Sequence, residues 1–77
     1  MKELLNAIVD GLVTDKTSIQ ITEDEANEEG IIVLHLTVAA DDMGRVIGKQ
    51  GRIAKAIRTL MRAAAARENK KVAVEIE

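Results

Sequence analysis

Eight consecutive residues, IIVLHLTV from Ile31 to Val38, do most to restrict what this chain can fold into. They are β-branched or aliphatic at nearly every position, the pattern of a strand with neighbours on both sides. Such a strand belongs in the middle of a sheet, and the rest of the chain must supply its neighbours and a helical cover. If Ile32, Leu34, Leu36 and Val38 face the helices, Ile31, Val33, His35 and Thr37 lie on the opposite face. His35 then reads as a strand residue on a partly open face.

The remaining elements follow from periodicity. Leu4, Leu5, Ile8, Val9, Leu12 and Val13 recur at spacings of three and four, so residues 2–13 are expected to form an amphipathic helix with Lys2, Glu3, Asn6 and Asp10 outward. Ser18 to Thr22 alternates Ile19 and Ile21 with polar residues, a short strand with one buried face, and the acidic EDEANEEG makes a solvated turn ending at Gly30. Asp41 or Asp42 can cap a short helical turn, MGRVI. Arg52 to Arg67 reads as the longest helix, with Ile53, Ala56, Ile57, Leu60, Met61 and Ala64 on one face and Arg52, Lys55, Arg58 and Arg62 on the other. Val72 to Ile76 alternates as a last strand.

The order α-β-β-α-α-β predicts a single α+β domain over residues 1–77, with three helices packed on one face of a three-stranded mixed sheet. The first two strands fit an antiparallel hairpin. The second and third, joined through two helices, fit a parallel pair with a right-handed connection.

Composition narrows the chemistry. Seventy-seven residues allow one thin core, and without Pro, Cys, Trp, Tyr or Phe that core must be aliphatic. Stacking on aromatic side chains is excluded as a binding device. No thiolate site can form, and the one histidine has no second imidazole to work with, so neither metal nor cofactor is expected. No nucleophile–base pair is visible around His35 or Ser18, and catalysis is not expected. The N-terminal MKELLNAIVDGLV is interrupted by Glu3, Asn6 and Asp10 and lacks a cleavage site, which points to a soluble, unprocessed cytoplasmic protein with no membrane partner.

The formal net charge of −2 conceals a division. Residues 1–42 carry two basic and ten acidic residues, a charge of −8, while residues 43–77 carry nine basic and three acidic, a charge of +6. Between Met43 and Arg67 there are seven basic residues and no acid. A merely solvated face would mix its signs; this asymmetry predicts an anionic partner.

Three of the five glycines, Gly44, Gly48 and Gly51, stand in that basic segment. Their spacing fits neither the P-loop nor the dinucleotide fingerprint, and Arg45 and Lys49 exclude a membrane dimerisation motif. What remains is Gly-x-x-Gly between two helices. Glycine allows a sharp turn and the close approach of another backbone, while the amides of the next helix's first turn favour a phosphate. Lys49, Arg52 and Arg45 add charge at the same place.

The segment G-R-V-I-G-K-Q-G-R-I-A-K-A-I, within the α-β-β-α-α-β order, resembles the KH domain in its type II variant, and the resemblance covers the whole chain. At this length it resembles small bacterial RNA-binding proteins made of one KH domain. The resemblance implies that Gly48-Lys49-Gln50-Gly51 clamps the backbone of about four single-stranded nucleotides. Gly44, Val46 and Ile47 match the short helix before the loop, and Arg45, Arg52, Ile53 and Lys55 complete the expected RNA-binding set. Lys55, Arg58 and Arg62, further along, serve as steering charges. Ala54 departs from the family, which often has a large aliphatic residue there, and a shallower groove floor is expected. Base edges are expected to be read around Leu36 to Val38.

The implied function is non-catalytic single-stranded RNA binding of low sequence specificity, in an RNA chaperone or post-transcriptional regulator. The competing reading is a protein-interaction module whose RNA binding is secondary. A homodimer, or a heterodimer with a larger KH-containing protein, is the assembly the resemblance implies. The acidic first half is expected to repel RNA from the other faces.

Overall fold

The computed structural model describes all 77 residues. Helix α1 spans Lys2–Asp10, strand β1 Gln20–Glu23, strand β2 Ile31–Thr37, helix α2 Met43–Ile47, helix α3 Arg52–Arg67 and strand β3 Lys71–Ile76. Single 3-10 turns occur at Lys16–Ser18, Ala40–Asp42 and Lys49–Gly51. The sheet order is β1-β2-β3, with β1 antiparallel and β2 parallel to their neighbours along β2 and β3 respectively. The apolar run is thus the central strand, and the α+β architecture expected from the sequence is the one observed.

Side-chain alternation sets the layers. Leu34, Leu36 and Val38 of the central run, with Val72 and Val74 of β3, face the helices and are buried against Leu5, Val9, Val13, Val46, Ile57, Met61 and Ala65. Ile31, Val33 and His35 lie half-buried on the other face, which carries no helix. Burying one aliphatic side chain of this kind stabilises a fold by about 1.5–3 kcal/mol, and these side chains form the one core between the sheet and the helices.

Local details correct the expected boundaries. Helix α1 stops at Asp10 rather than Val13, because residues 11–13 turn back on its last carbonyls: the amides of Leu12 and Val13 both donate to Val9 O, at 2.9 and 3.2 Å. Lys16 Nζ donates to the carbonyls of Asp10 and Val13, placing a cation at the negative end of the helix dipole. Strand β1 starts two residues later than expected, since Asp15 caps the Lys16–Ser18 turn by accepting from Thr17 N. The acidic turn is organised by Asn27, whose Oδ1 accepts from the amides of Glu29 and Ile31 at 2.9 and 3.0 Å.

On α3 the buried stripe is Ala54, Ile57, Met61 and Ala65. The expected face was rotated by about one position: Ala56 is exposed and Leu60 is 56% exposed. Asn69, at φ 58°, closes the helix as Lys70 N donates to Ala65 O.

His35 is the hub of a second cluster that its sequence position did not announce. Its Nε2 lies 2.8 Å from Asp24 Oδ2, and its Nδ1 lies 2.7 Å from Glu77 Oε1 and 3.5 Å from Glu75 Oε2. Hydrogen bonds to Asp24 and then to Glu77 raise its pKa above the ordinary imidazole value. A raised folded-state pKa means that this contribution to stability is complete below about pH 6.5 and is lost as pH rises through the higher folded value. Melting temperature is therefore expected to fall as pH is raised above about 6.5. The decline should be absent in His35→Gln; an equal decline in that variant would show that the cluster is not its source.

Candidate nucleic-acid interface

The glycine loop is built between two helices that differ in length and in purpose. Helix α2 is little more than one turn, anchored by Val46, which is fully buried, and it ends where Gly48 N donates to Gly44 O at 2.8 Å. Gly48 has φ 76° and ψ 176°, a region open essentially to glycine alone. Gln50 at φ 58° and Gly51 at φ 73° are left-handed as well, so three of the loop's four residues have positive φ. Glycine at the first and last of these is a conformational requirement; Gln50 carries strain of about 1 kcal/mol.

Close approach explains Gly48 further. A Cβ there would lie 2.6 Å from Ile53 Cγ1 and 2.8 Å from Ile53 Cβ. The loop backbone therefore rests directly on Ile53, in the first turn of α3. Around Gly51 there is open space.

The sequence-derived residues fall into three groups. Gly44, Arg45, Lys49, Gln50, Arg52 and Lys55 are exposed, and Ile47 is 39% exposed. Gly48, Gly51 and Ile53 are half-buried. Val46, expected among the RNA-binding residues, has its side chain in the core, where it anchors α2. Ala54 is also buried, so the apolar surface next to the loop consists of Ile47 and Ile53.

The start of α3 is uncapped by any side chain and has no acid in its first turn. Not all of its amides are free, however. Gly51 N donates to Gly48 O at 3.2 Å and Arg52 N to Lys49 O, so part of the expected anion-binding edge is used by the loop's own 3-10 turn. Arg52 Nη2 is 3.4 Å from Gln50 Oε1, which keeps that guanidinium over the loop. Lys49, Arg52, Lys55, Arg58 and Arg62 form no ion pair. Their charge is available to an outside anion.

The expected base-reading stretch is corrected by the sheet order. The residues from Leu36 to Val38 belong to the central run, where Thr37 pairs with Gln20 and Leu36 O accepts from Glu77 N at 2.9 Å. The backbone at Leu36 and Thr37 is thus engaged by the neighbouring strands. Of the two edge strands, β1 and β3, β3 is the one that packs closely on α3, and Arg58 Nε already donates to Val74 O there at 3.2 Å. Arg58 and Arg62 thus border the groove between α3 and β3 together with Val72, Ala73 and Glu75. Arg58 is tied to the groove wall.

Asp42, expected as a helix cap, makes no cap bond at all. Its carboxylate is fully buried and accepts from Thr14 N, Thr14 Oγ1 and Asp15 N, each at 3.0 Å. The amides of Asp15 and Thr14, then the Thr14 hydroxyl and Arg45, hold its pKa below the ordinary carboxylate value, against the opposing effect of desolvation.

One group could hold a cation. The ligand atoms of His35, Glu75 and Glu77 lie within 4.8 Å of one another on the helix-free face of the sheet. Sequence spacing did not reveal it because the parallel β2–β3 register, which pairs His35 with Glu75, is what assembles it. No helix is long and apolar enough to cross a membrane.

Comparison with known proteins agrees with this geometry. A family model described as KhpA/KhpB, KH domain matches residues 2–76. The RNA-binding protein KhpA of Clostridium acetobutylicum is 55% identical over 76 residues, covering 99% of both chains. That of Listeria monocytogenes is 47% identical, covering 99% of this chain and 97% of the relative, and that of Chlamydia trachomatis is 45% identical, covering 99% and 95%. Among solved structures, Aquifex aeolicus Era is similar in fold, with a TM-score of 0.65 at 19% identity, over 96% of this chain and 28% of Era.

Proposed function

Because the chain belongs to the KhpA/KhpB family of KH domains, we propose that residues 1–77 act as a single KH domain binding single-stranded RNA through the Gly48–Gly51 loop. The observation that carries this reading is the coincidence of a glycine-dependent turn with Lys49 and Arg52, cations that form no ion pair within the protein. Relatives named RNA-binding protein KhpA support it.

In this reading the sugar-phosphate backbone passes over Gly48 and Gly51, where side chains are absent. Lys49 and Arg52 contact phosphates, and Gly44, Arg45, Gln50 and Lys55 border the path. Ile47 and Ile53 offer an aliphatic surface to a base, and the free edge of β3 supplies backbone groups for base edges. With few directional side chains in the groove to read base edges, discrimination among bases is low. That suits a chaperone or a post-transcriptional regulator in the cytoplasm, with no catalytic step. The acids of the β1–β2 turn and of the helix-free sheet face disfavour RNA elsewhere.

A second reading has one observation of its own. Leu4, 40% exposed, and Leu60, 56% exposed, border an apolar groove with Ile8, Ala63, Ala64 and Arg67 between α1 and α3. This surface suits a protein interface, in a homodimer or with a larger KH-containing protein.

Sedimentation at micromolar protein, with and without a labelled single-stranded RNA, tests both readings. RNA should travel with the protein at low salt. If about four phosphates are neutralised, affinity should fall roughly fiftyfold between about 50 and 200 mM salt. RNA that sediments freely under both conditions would overturn the RNA reading. A dimer formed without RNA would support the interface.

A further inference from the structure

We infer that the buried carboxylate of Asp42 is a positioning group for RNA binding, orienting the Arg45 guanidinium at the approach to the glycine loop; this rests on the RNA-binding reading of that loop. Asp42 is the one charged residue buried in the fold. It stands immediately before α2, the short helix that carries the loop, yet it does not serve that helix as a cap.

Its partners come from the other end of the chain. Thr14 N and Oγ1 donate to Oδ1 and Asp15 N donates to Oδ2, contacts that span 28 and 27 residues of sequence. Three donors from one turn fix both carboxylate oxygens before any cation is considered. The carboxylate is thus a rigid anion placed by the turn after α1.

Arg45 lies one helical turn further on, with its Nε 3.4 Å from Asp42 Oδ1 and its side chain 59% exposed. Its Nε approaches the carboxylate at ion-pair distance, and no hydrogen bond or other ion pair engages its terminal amino groups. It is also the only cation near the loop with an acidic partner, in contrast to Lys49, Arg52 and Lys55.

A free arginine must give up rotamer freedom when it clamps a phosphate, and one already held by a fixed anion gives up less.

Equilibrium binding of a labelled single-stranded RNA to wild type, Asp42→Asn, Arg45→Ala and the double variant tests the inference. Asp42→Asn should weaken binding about fivefold, and Arg45→Ala by at least as much. In the Arg45→Ala background, Asp42→Asn should add less than about twofold, because both act through one guanidinium. Val9→Ala serves as the control for fold alone: it removes buried core surface from α1 and leaves the Asp42 bonds and the Arg45 contact in place, so it should lower stability and leave affinity within about twofold.

Affinity unchanged or raised in Asp42→Asn would overturn the inference, as would an equal loss in both backgrounds or a matching loss in Val9→Ala. A wild-type protein that fails to bind RNA overturns the loop reading and this inference with it. Wild-type binding with no Asp42 effect overturns this inference alone.

Discussion

Gly48→Ala is expected to lower the melting temperature by roughly 10–25 °C, a larger loss than any other single substitution in the loop. Two effects add. At φ 76° and ψ 176° an L-residue is strained, and the new methyl would lie 2.8 Å from Ile53 Cβ and 2.6 Å from Cγ1. Ile53 Cβ is fixed to the α3 backbone, so rotation of its side chain cannot relieve the contact; the loop or the helix must shift. Strain and overpacking together cost about 2–4 kcal/mol.

Gly51→Ala makes a useful contrast. It is also left-handed, at φ 73°, but nothing lies within 4 Å of the added carbon. Only the conformational cost of about 1 kcal/mol applies. Gly48→Ala/Ile53→Ala should recover little of the loss, because alanine keeps the Cβ at 2.8 Å and the backbone strain remains. Thermal unfolding of these variants measures the effect. A Gly48→Ala protein as stable as wild type would mean that the loop does not rest on Ile53 as described.

How much of this could be read in the sequence depended on how local each interaction is. The central strand was legible because an uninterrupted aliphatic run has few other uses, and the glycine loop because its spacing excluded better-known phosphate motifs. The long helix was legible in extent but not in rotation. With alanines at positions 54, 56, 63, 64, 65 and 66, a wheel cannot tell which small residue faces the core, and the packing of β3 against α3 decides it.

Asp42 illustrates the opposite case. An aspartate before a short helix is locally a cap, and only the return of Thr14 and Asp15 across 27 or more residues gives it another purpose. His35 is similar: its partner Glu77 is 42 residues away and is brought near by the parallel register. The pairing of the stretch around Leu36 and Thr37 has a related reason: an apolar run identifies a central strand, and a central strand has neighbours on both sides.

The second large effect concerns function rather than stability. Lys49→Asp/Gln50→Asp changes the formal charge of the loop from +1 to −2 at its two exposed side chains. A phosphate that found an unpaired cation would meet two carboxylates, and like-charge juxtaposition costs several kcal/mol. The fold should tolerate the change. Both side chains are exposed, neither contributes to the core, and aspartate accepts the left-handed conformation at position 50 more readily than most residues.

The central claim is that the Gly48–Gly51 loop is where RNA is held. Its most direct measurement is fluorescence anisotropy of a labelled single-stranded RNA titrated with wild type and with Lys49→Asp/Gln50→Asp, alongside circular dichroism of both. The account predicts saturable binding by wild type and a loss of at least about thirtyfold in the variant, with the spectra and melting temperatures of a folded domain in each. A folded variant that binds RNA as tightly as wild type would contradict it.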